Sequence, residues 1–500
     1  MQFNSLHFLI FFPIVLAVYF VIPKKLRHLW LLAASYYFYM SWNAQYAVLI
    51  AFSTVVSYLT GILVEQFALE EGRFYQHLRK FTLFIGIAAN LGILFMFKYL
   101  DFAVENINVL LGSLGIEAIE QEFSLLLPVG ISFYTFQALG YVIDVYRKKI
   151  DAEYNLFKYA LFVSFFPQLV AGPIERSGNL IKQLNNADKI NLWNYERIAK
   201  GFMLMMWGFF MKVVVADRAA TVVNYVFENH YIMNTTALIT GAVLFAVQIY
   251  CDFASYSTIA IGAAQIMGFK LMDNFDTPYF AMSIKEFWRR WHISLSTWFR
   301  DYLYIPLGGN RKGKLRKHIN TMIVFLVSGL WHGADWTYII WGGLHGTYQI
   351  VGEVSAPMKK AAEKKLNINT DAISYKAIKV IITFALTCFA WIFFRADSIS
   401  IAFSYIDRLF TCFDPWSLTT GIFYNIGLAR QEMNILLVAV AALIFVDVMK
   451  RKNNIRFENI ADKQNLWVRE LILFVLIFVV IVFGAYGDSF DAQQFIYFQF

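Results

Sequence analysis

Long apolar runs recur along this chain of 500 residues, and nearly every one has the length that crosses a lipid bilayer. A helix rises 1.5 Å per residue, so about 20 apolar residues span a hydrocarbon core about 30 Å thick. Such runs fall at 3–22, 44–64, 81–99, 123–146, 197–227, 237–268, 373–395, 432–450 and 467–487, with a shorter one at 29–42. The stretch 318–352 reads as two helices broken at Gly333-Ala334-Asp335. Together these predict an all-α polytopic membrane protein with about 11–12 transmembrane helices. Composition agrees: 59% of the residues are hydrophobic and 16% charged, where a soluble protein is roughly a quarter charged. A chain this apolar cannot cover its own surface with polar groups, so lipid is part of its solvent and a partner of the fold. No internal repeat, low-complexity tract or linker interrupts it, and residues 1–500 read as a single membrane domain.

The net charge of +8 does not point to nucleic acid, because the basic residues sit in short loops between apolar runs. Lys24-Lys25-Leu26-Arg27, Arg147-Lys148-Lys149, the segment Arg311 to Lys317, Lys359-Lys360 with Lys364-Lys365, and Lys450-Arg451-Lys452 fall in alternate loops. The 101–122 loop between them carries Asp101, Glu105, Glu117, Glu120 and Glu122 and no Lys or Arg. Basic loops stay cytoplasmic, so both termini are expected outside. The first run does not read as a cleaved signal, since its basic cluster follows the apolar stretch and no small-residue cleavage site appears. Cys251, Cys388 and Cys412 lie far apart and show no metal-type spacing, so no metal site is expected.

Two segments fit a simple crossing poorly. In 157–176, FKYALFVSFFPQLVAGPIER, Pro167 and Pro173 break the helical ladder. Irregular backbone is tolerated at membrane depth only against protein or a wet cavity. In 285–305, Phe287, Trp291, Leu295, Trp298, Tyr302 and Ile305 recur at spacings of three and four, with Arg289, Arg290, Ser296, Arg300 and Asp301 opposite. That pattern predicts an amphipathic helix, lying in the interface or re-entrant from the cytoplasmic face. The segment 351–371 reads as a short cytoplasmic loop or helix.

Ionisable groups inside a membrane are costly and mark function, whether pore, proton relay or catalysis. Of eight histidines, five lie in loops, at helix ends or near a terminus, where an ordinary solvated role suffices. His332 lies in VFLVSGLWHG with nothing charged back to His318. A neutral imidazole there is suited to taking a proton from a hydroxyl; the alternative is a buried histidine that bridges two helices. His292 sits at the border of the amphipathic faces, and on spacing alone it favours headgroups over a cavity. His345, thirteen residues beyond His332, either faces the same cavity or packs, with packing slightly favoured. Asp252, in QIYCDFASYS, needs a partner at depth, an arginine of the amphipathic helix or a nearby hydroxyl, and a buried structural network is at least as good a reading as substrate contact. No phosphate-binding loop, dinucleotide fingerprint or nucleophile elbow appears, which points to direct proton abstraction rather than a covalent enzyme intermediate.

Several long motifs in one order carry a family resemblance: LLLPVGISFYTFQALGYVIDVYR at 125–147, FFPQLVAGPIER at 165–176, QIYCDFASYSTIAIGAAQIMGF at 248–269, FWRRWHISLSTWFRDYLYIPLGGNR at 287–311, SGLWHGADWTYIIWGGLHG at 328–346, and the terminal FIYFQF. With these the chain resembles the membrane-bound O-acyltransferase family, in its bacterial alginate O-acetyltransferase-like branch. The resemblance implies a helical fold around a central tunnel in the bacterial cytoplasmic membrane. It implies catalytic roles for His332 and His292, and candidate substrate contacts at Asp252, Tyr256, Arg289, Trp331, Trp336 and His345. The donor it implies is an acyl thioester, on coenzyme A or a carrier protein, reaching the cytoplasmic face, with no bound cofactor. His332 would deprotonate an acceptor hydroxyl, and His292 or Trp331 would donate to the tetrahedral oxyanion. A separate extracytoplasmic acyltransferase would complete delivery to a polysaccharide or cell-wall polymer. Acetyl is the expected group; D-alanyl transfer to teichoic acid is the alternative within the family. Outside it stand a transporter or flippase, against which the missing inverted repeat counts, and a non-enzymatic assembly subunit.

Overall fold

The computed structural model describes residues 1–119, 127–419, 421–460, 464–486 and 495, and among these every regular element is helical. The helices group into two compact units, Met1–Phe202 with Ala260–Met272, and Met203–Ile259 with Asp273–Phe500.

The first unit holds α1 (Leu6–Val21), α2 (Arg27–Met40), α3 (Ala47–Leu69), α4 (Arg73–Leu94), α5 (Leu100–Ser113), α6 (Ile131–Tyr146), α7 (Leu156–Ser164) and α8 (Ser177–Asn185). Its core is aromatic and aliphatic, and helix-to-helix hydrogen bonds join some of the polar groups buried within it. Tyr159 Oη donates to Ser57 Oγ at 2.7 Å, and Ser53 Oγ to Asn90 Oδ1 at 2.5 Å. The proline-broken segment behaves as expected. After α7 the backbone of Phe165–Ile174 is irregular and buried in protein, with Phe166 N–H donating to Ser35 Oγ at 3.1 Å.

Next come α9 (Tyr195–Phe209), a π-helical turn at Phe210–Ala216, α10 (Asp217–Glu228) and α11 (Thr235–Met267); the division between the units falls within α9 and α11. The remaining helices belong to the second unit: α12 (Ile284–Arg290), α13 (Ile293–Phe299), α14 (Gly313–His332), α15 (Trp336–Val354), α16 (Ala356–Lys365), α17 (Ile373–Arg395), α18 (Ile399–Thr411), α19 (Arg430–Asn453) and α20 (Leu466–Phe483). α14 and α15 form the expected helical pair, and α16 is the expected short exposed helix.

Seven helical stretches among the described residues are long and apolar enough to cross a membrane: Ala44–Leu69, Arg73–Ser113, Tyr195–Glu228, Thr235–Met267, Ile373–Arg395, Arg430–Asn453 and Leu466–Phe483. The other expected crossings are shorter or more polar helices, because capping and loop residues take up part of each apolar run. Ser5 caps α1 by accepting the Phe8 N–H, and Pro23 follows its end, leaving 16 helical residues. α6 also has 16, and the start of its expected run, 123–126, lies outside the described residues. α14 opens on a basic turn. One loop was misread: residues 101–113 continue α4 through a π-helical turn at Phe95–Tyr99 rather than forming a connection. Charge suggested a loop there, but apolar residues continue at helical spacing between the acids.

Candidate active site

The site is built in the second unit. α14 and α15 pack with their backbones almost in contact, and two glycines make that possible. A Cβ at Gly329 would overlap the Tyr338 carbonyl oxygen, and one at Gly342 the Phe325 carbonyl oxygen. The hairpin turns at Gly333-Ala334-Asp335, where Asp335 caps α15 by accepting the Thr337 N–H at 2.7 Å. His332 is therefore the last residue of α14, held against the turn and only 3% exposed. Aromatic rings surround its imidazole: Trp331 at 4.9 Å between centroids, Trp341 at 5.0 Å and Phe394 of α17 at 5.5 Å. Trp341 in turn stacks on Trp391 at 5.5 Å.

The second histidine arrives on a different device. The expected continuous amphipathic helix over 285–305 is broken: α12 ends at Arg290 and α13 begins at Ile293. Between them His292 adopts the left-handed conformation, φ 43° and ψ 55°, which a non-glycine residue takes only where surrounding structure imposes it. The apolar stripe survives the break, since Phe287, Trp291, Leu295 and Trp298 are all buried. His292 itself is fully buried, with its ring edge-on to Phe253 at 4.6 Å. Its Nδ1 lies 3.1 Å from Asn274 Oδ1. The same oxygen accepts from Ser294 Oγ at 2.9 Å and Ser294 N–H at 3.3 Å, while Asn274 Nδ2 donates to Ser257 Oγ at 3.0 Å. This arrangement brings the His292 and His332 rings to 6.3 Å between centroids.

The other expected contacts divide. Asp252 does not pair with an arginine of the amphipathic segment. Lys212 Nζ meets its Oδ1 at 2.5 Å and Asp217 Oδ1 at 3.0 Å, forming a buried triad. Lys212 comes from the π-helical turn at Phe210–Ala216, whose extra residue places it toward α11. Its position inside an apolar run gave the sequence no sign of this pairing. Tyr256 is buried, 5.2 Å from the ring of Phe495; residues 496–500 of the FIYFQF motif lie outside the described residues. Trp331 lies against both histidines, 4.9 Å from His332 and 5.9 Å from His292. Trp336 is 49% exposed at the start of α15 and does not join them. His345 is buried but one layer removed. Its Nδ1 accepts from Trp288 Nε1 at 3.2 Å, and Trp341 stands between it and His332, 5.2 and 5.0 Å from the two rings.

A cavity of about 660 Å³ lies in the same unit, and neither imidazole is among its lining residues. Its lining includes Ile293, the residue after His292, and Ser328, one helical turn before His332. Lys285, Arg289, Arg300 and Lys317 also line it, against the single acid Glu353. Lys317 is hydrogen-bonded to Glu353 and holds that carboxyl below its usual range. From Lys317 to Ser328 the wall follows α14 for about 16 Å, at 1.5 Å per residue. The cavity thus runs from exposed basic side chains along α14 to Ser328 and Ile293, which neighbour the two histidines in sequence.

Sequence reasoning missed Asn274, Ser294, Lys212, Asp217 and Trp341. Asn274 lies in the connection 268–283 between α11 and α12 with no periodicity to mark it, and a polar residue there reads as solvated. The profile of the membrane-bound O-acyltransferase family matches residues 147–395. A probable alginate O-acetylase of Pseudomonas putida is 36% identical over 100% of both chains. A peptidoglycan O-acetyltransferase of Helicobacter pylori is 35% identical over 78% of this chain and 76% of its own. A teichoic acid D-alanyltransferase of Streptococcus thermophilus is 31% identical over 54% and 69%.

Proposed function

The chain belongs to the membrane-bound O-acyltransferase family, and on that premise we propose that it carries an acetyl group from a cytoplasmic thioester to a hydroxyl of an extracytoplasmic polysaccharide. It is a multi-pass membrane O-acyltransferase of the kind that modifies envelope polymers. The observation that carries the finer reading is the meeting of two buried imidazoles, 6.3 Å apart, beside a cavity with a basic mouth. Acetyl and polysaccharide are preferred because the alginate O-acetylase relatives match over the greater length.

In this reading the anionic end of the thioester, a coenzyme A or carrier-protein phosphate, rests at Lys285, Arg289 and Arg300. The thioester itself reaches along α14 toward Ser328. His332 takes the proton of the acceptor hydroxyl, and the oxygen attacks the thioester carbonyl. The tetrahedral oxyanion collapses, the carbon–sulfur bond breaks, and the His332 imidazolium returns the proton to the leaving thiolate. No proton is gained or lost overall. The acceptor enters from outside the bacterial cytoplasmic membrane, where both termini lie, and a separate extracytoplasmic acyltransferase passes the group on to the polymer.

Inverted membrane vesicles test the direction. Labelled acetyl-coenzyme A added to the exposed cytoplasmic face is expected to leave acetyl ester on polysaccharide inside. Mass spectrometry of envelope polymers from cells with and without the protein is expected to show acetyl ester lost with it. D-alanyl ester lost instead, or label that moves only when the thioester is supplied inside the vesicle, would overturn this reading.

A further inference from the structure

The four hydrogen bonds at Asn274 determine more than its own orientation. A main-chain N–H can only donate, so the atom 3.3 Å from Ser294 N must be the amide oxygen of Asn274. That oxygen lies 3.1 Å from His292 Nδ1; the Ser294 hydroxyl, 3.5 Å from the same nitrogen, is closer to the amide oxygen at 2.9 Å and gives its one proton there. An amide oxygen has no proton to give, so in a hydrogen bond between them Nδ1 must be the donor. A neutral imidazole carries one ring proton. With it on Nδ1, Nε2 holds the lone pair.

We propose that Asn274 is a positioning residue that holds His292 in the tautomer with Nε2 unprotonated, presenting the second histidine of the site as a proton acceptor. The inference rests on the reading of His292 as part of the reacting centre. It reassigns a role drawn from the resemblance. A neutral His292 in this tautomer cannot donate from Nε2 to an oxyanion, so that donor falls to the indole N–H of Trp331, the other candidate. His292 then accepts a hydrogen bond from the hydroxyl or shares its proton with His332.

Three features make Asn274 more than a neighbour. Asn274, His292 and Ser294 are each 0% exposed, so no bulk water competes for the ring proton. Ser257, on α11, accepts from the Asn274 amide nitrogen at 3.0 Å, while the Ser294 N–H, which can only donate, keeps the amide oxygen facing His292. Main-chain bonds clamp the same segment to the same turn: Ile293 N–H donates to Asn274 C=O, and Asp276 N–H to Arg290 C=O, both at 2.9 Å. One loop thus holds the left-handed backbone of His292 and the orientation of its ring.

The tautomer can be read on the unaltered protein. In a bilayer nanodisc, nitrogen NMR of protein labelled at its histidine ring nitrogens, with His292 assigned by its disappearance in His292→Gln, is expected to show Nδ1 protonated and Nε2 bare at neutral pH. The opposite tautomer would overturn the proposal, whatever the activity. Kinetics supply the second arm. Asn274→Ala is expected to lower kcat about 10- to 100-fold with KM for the thioester unchanged. Asn274→Asp keeps an acceptor facing Nδ1 but adds a charge that favours imidazolium. It is expected to recover part of kcat and to move the acidic limb of the kcat/KM profile to higher pH by about one unit. If both variants lose activity only in proportion to folded protein, with the pH profile unmoved, Asn274 is structural and the proposal fails. Full activity of a folded His292→Gln would instead sink the role of His292 itself and leave the NMR result standing.

Discussion

The two histidines of the site reach it by opposite routes. His332 ends a helix whose hairpin partner follows within four residues, so glycine spacing, the Asp335 cap and the apolar run set its position locally. His292 occupies a left-handed break inside an amphipathic pattern, and it is held by Asn274, eighteen residues earlier. The hairpin's close packing and its turn are set by residues within it. The turn depends on a loop that brings three acceptor bonds to one oxygen. A rigid local element supplies one imidazole, and a longer-range clamp supplies and orients the other.

Substitutions can break or sharpen this contrast. The largest effect is expected from His332→Ala, a loss of about 10³-fold or more in acyl transfer with the protein still folded. Retained activity in a folded variant would remove the hairpin from the chemistry. Next is Gly329→Val, which drives a side chain into the Tyr338 carbonyl and is expected to cost about 3 kcal/mol. A thermal melt after detergent extraction reads it, and an unchanged melt would mean the hairpin is looser than the backbone contact implies. His292→Gln should lower kcat about 100-fold while leaving the melt nearly intact, separating the turn's chemistry from its fold. The smallest effect is expected at Arg289, which is exposed at the cavity mouth. Arg289→Ala should raise KM for a phosphate-bearing thioester about 2- to 5-fold at low salt, fading as salt is added. A change in kcat instead would place Arg289 nearer the reaction than the cavity does.

The same contrast explains what the sequence made legible. Apolar length and the glycine-marked break gave the α14–α15 pair and the place of His332, because both signals lie within a few residues of the feature they predict. The apolar stripe of 285–305 correctly marked Phe287, Trp291, Leu295 and Trp298 as buried but not Tyr302 or Ile305, and it gave a continuous helix, since a periodic pattern carries no record of one left-handed residue. The Lys212–Asp217–Asp252 triad was hidden for a related reason. A single extra residue in a π-helical turn changes which way Lys212 faces without altering hydropathy. Asn274 had no local signal at all. Helix lengths were overestimated where a cap or a proline ended a helix inside an apolar run, as Ser5 and Pro23 do for α1.

The central claim is that the hairpin and the turn form one proton-transferring centre. A double-mutant cycle on purified protein in nanodiscs tests it most directly, with acyl transfer measured for wild type, His332→Ala, His292→Gln and the double variant. If the imidazoles act as a unit, the double variant is expected to be no slower than His332→Ala alone. Losses that simply multiply, adding within about 0.5 kcal/mol as for independent sites, would contradict the account.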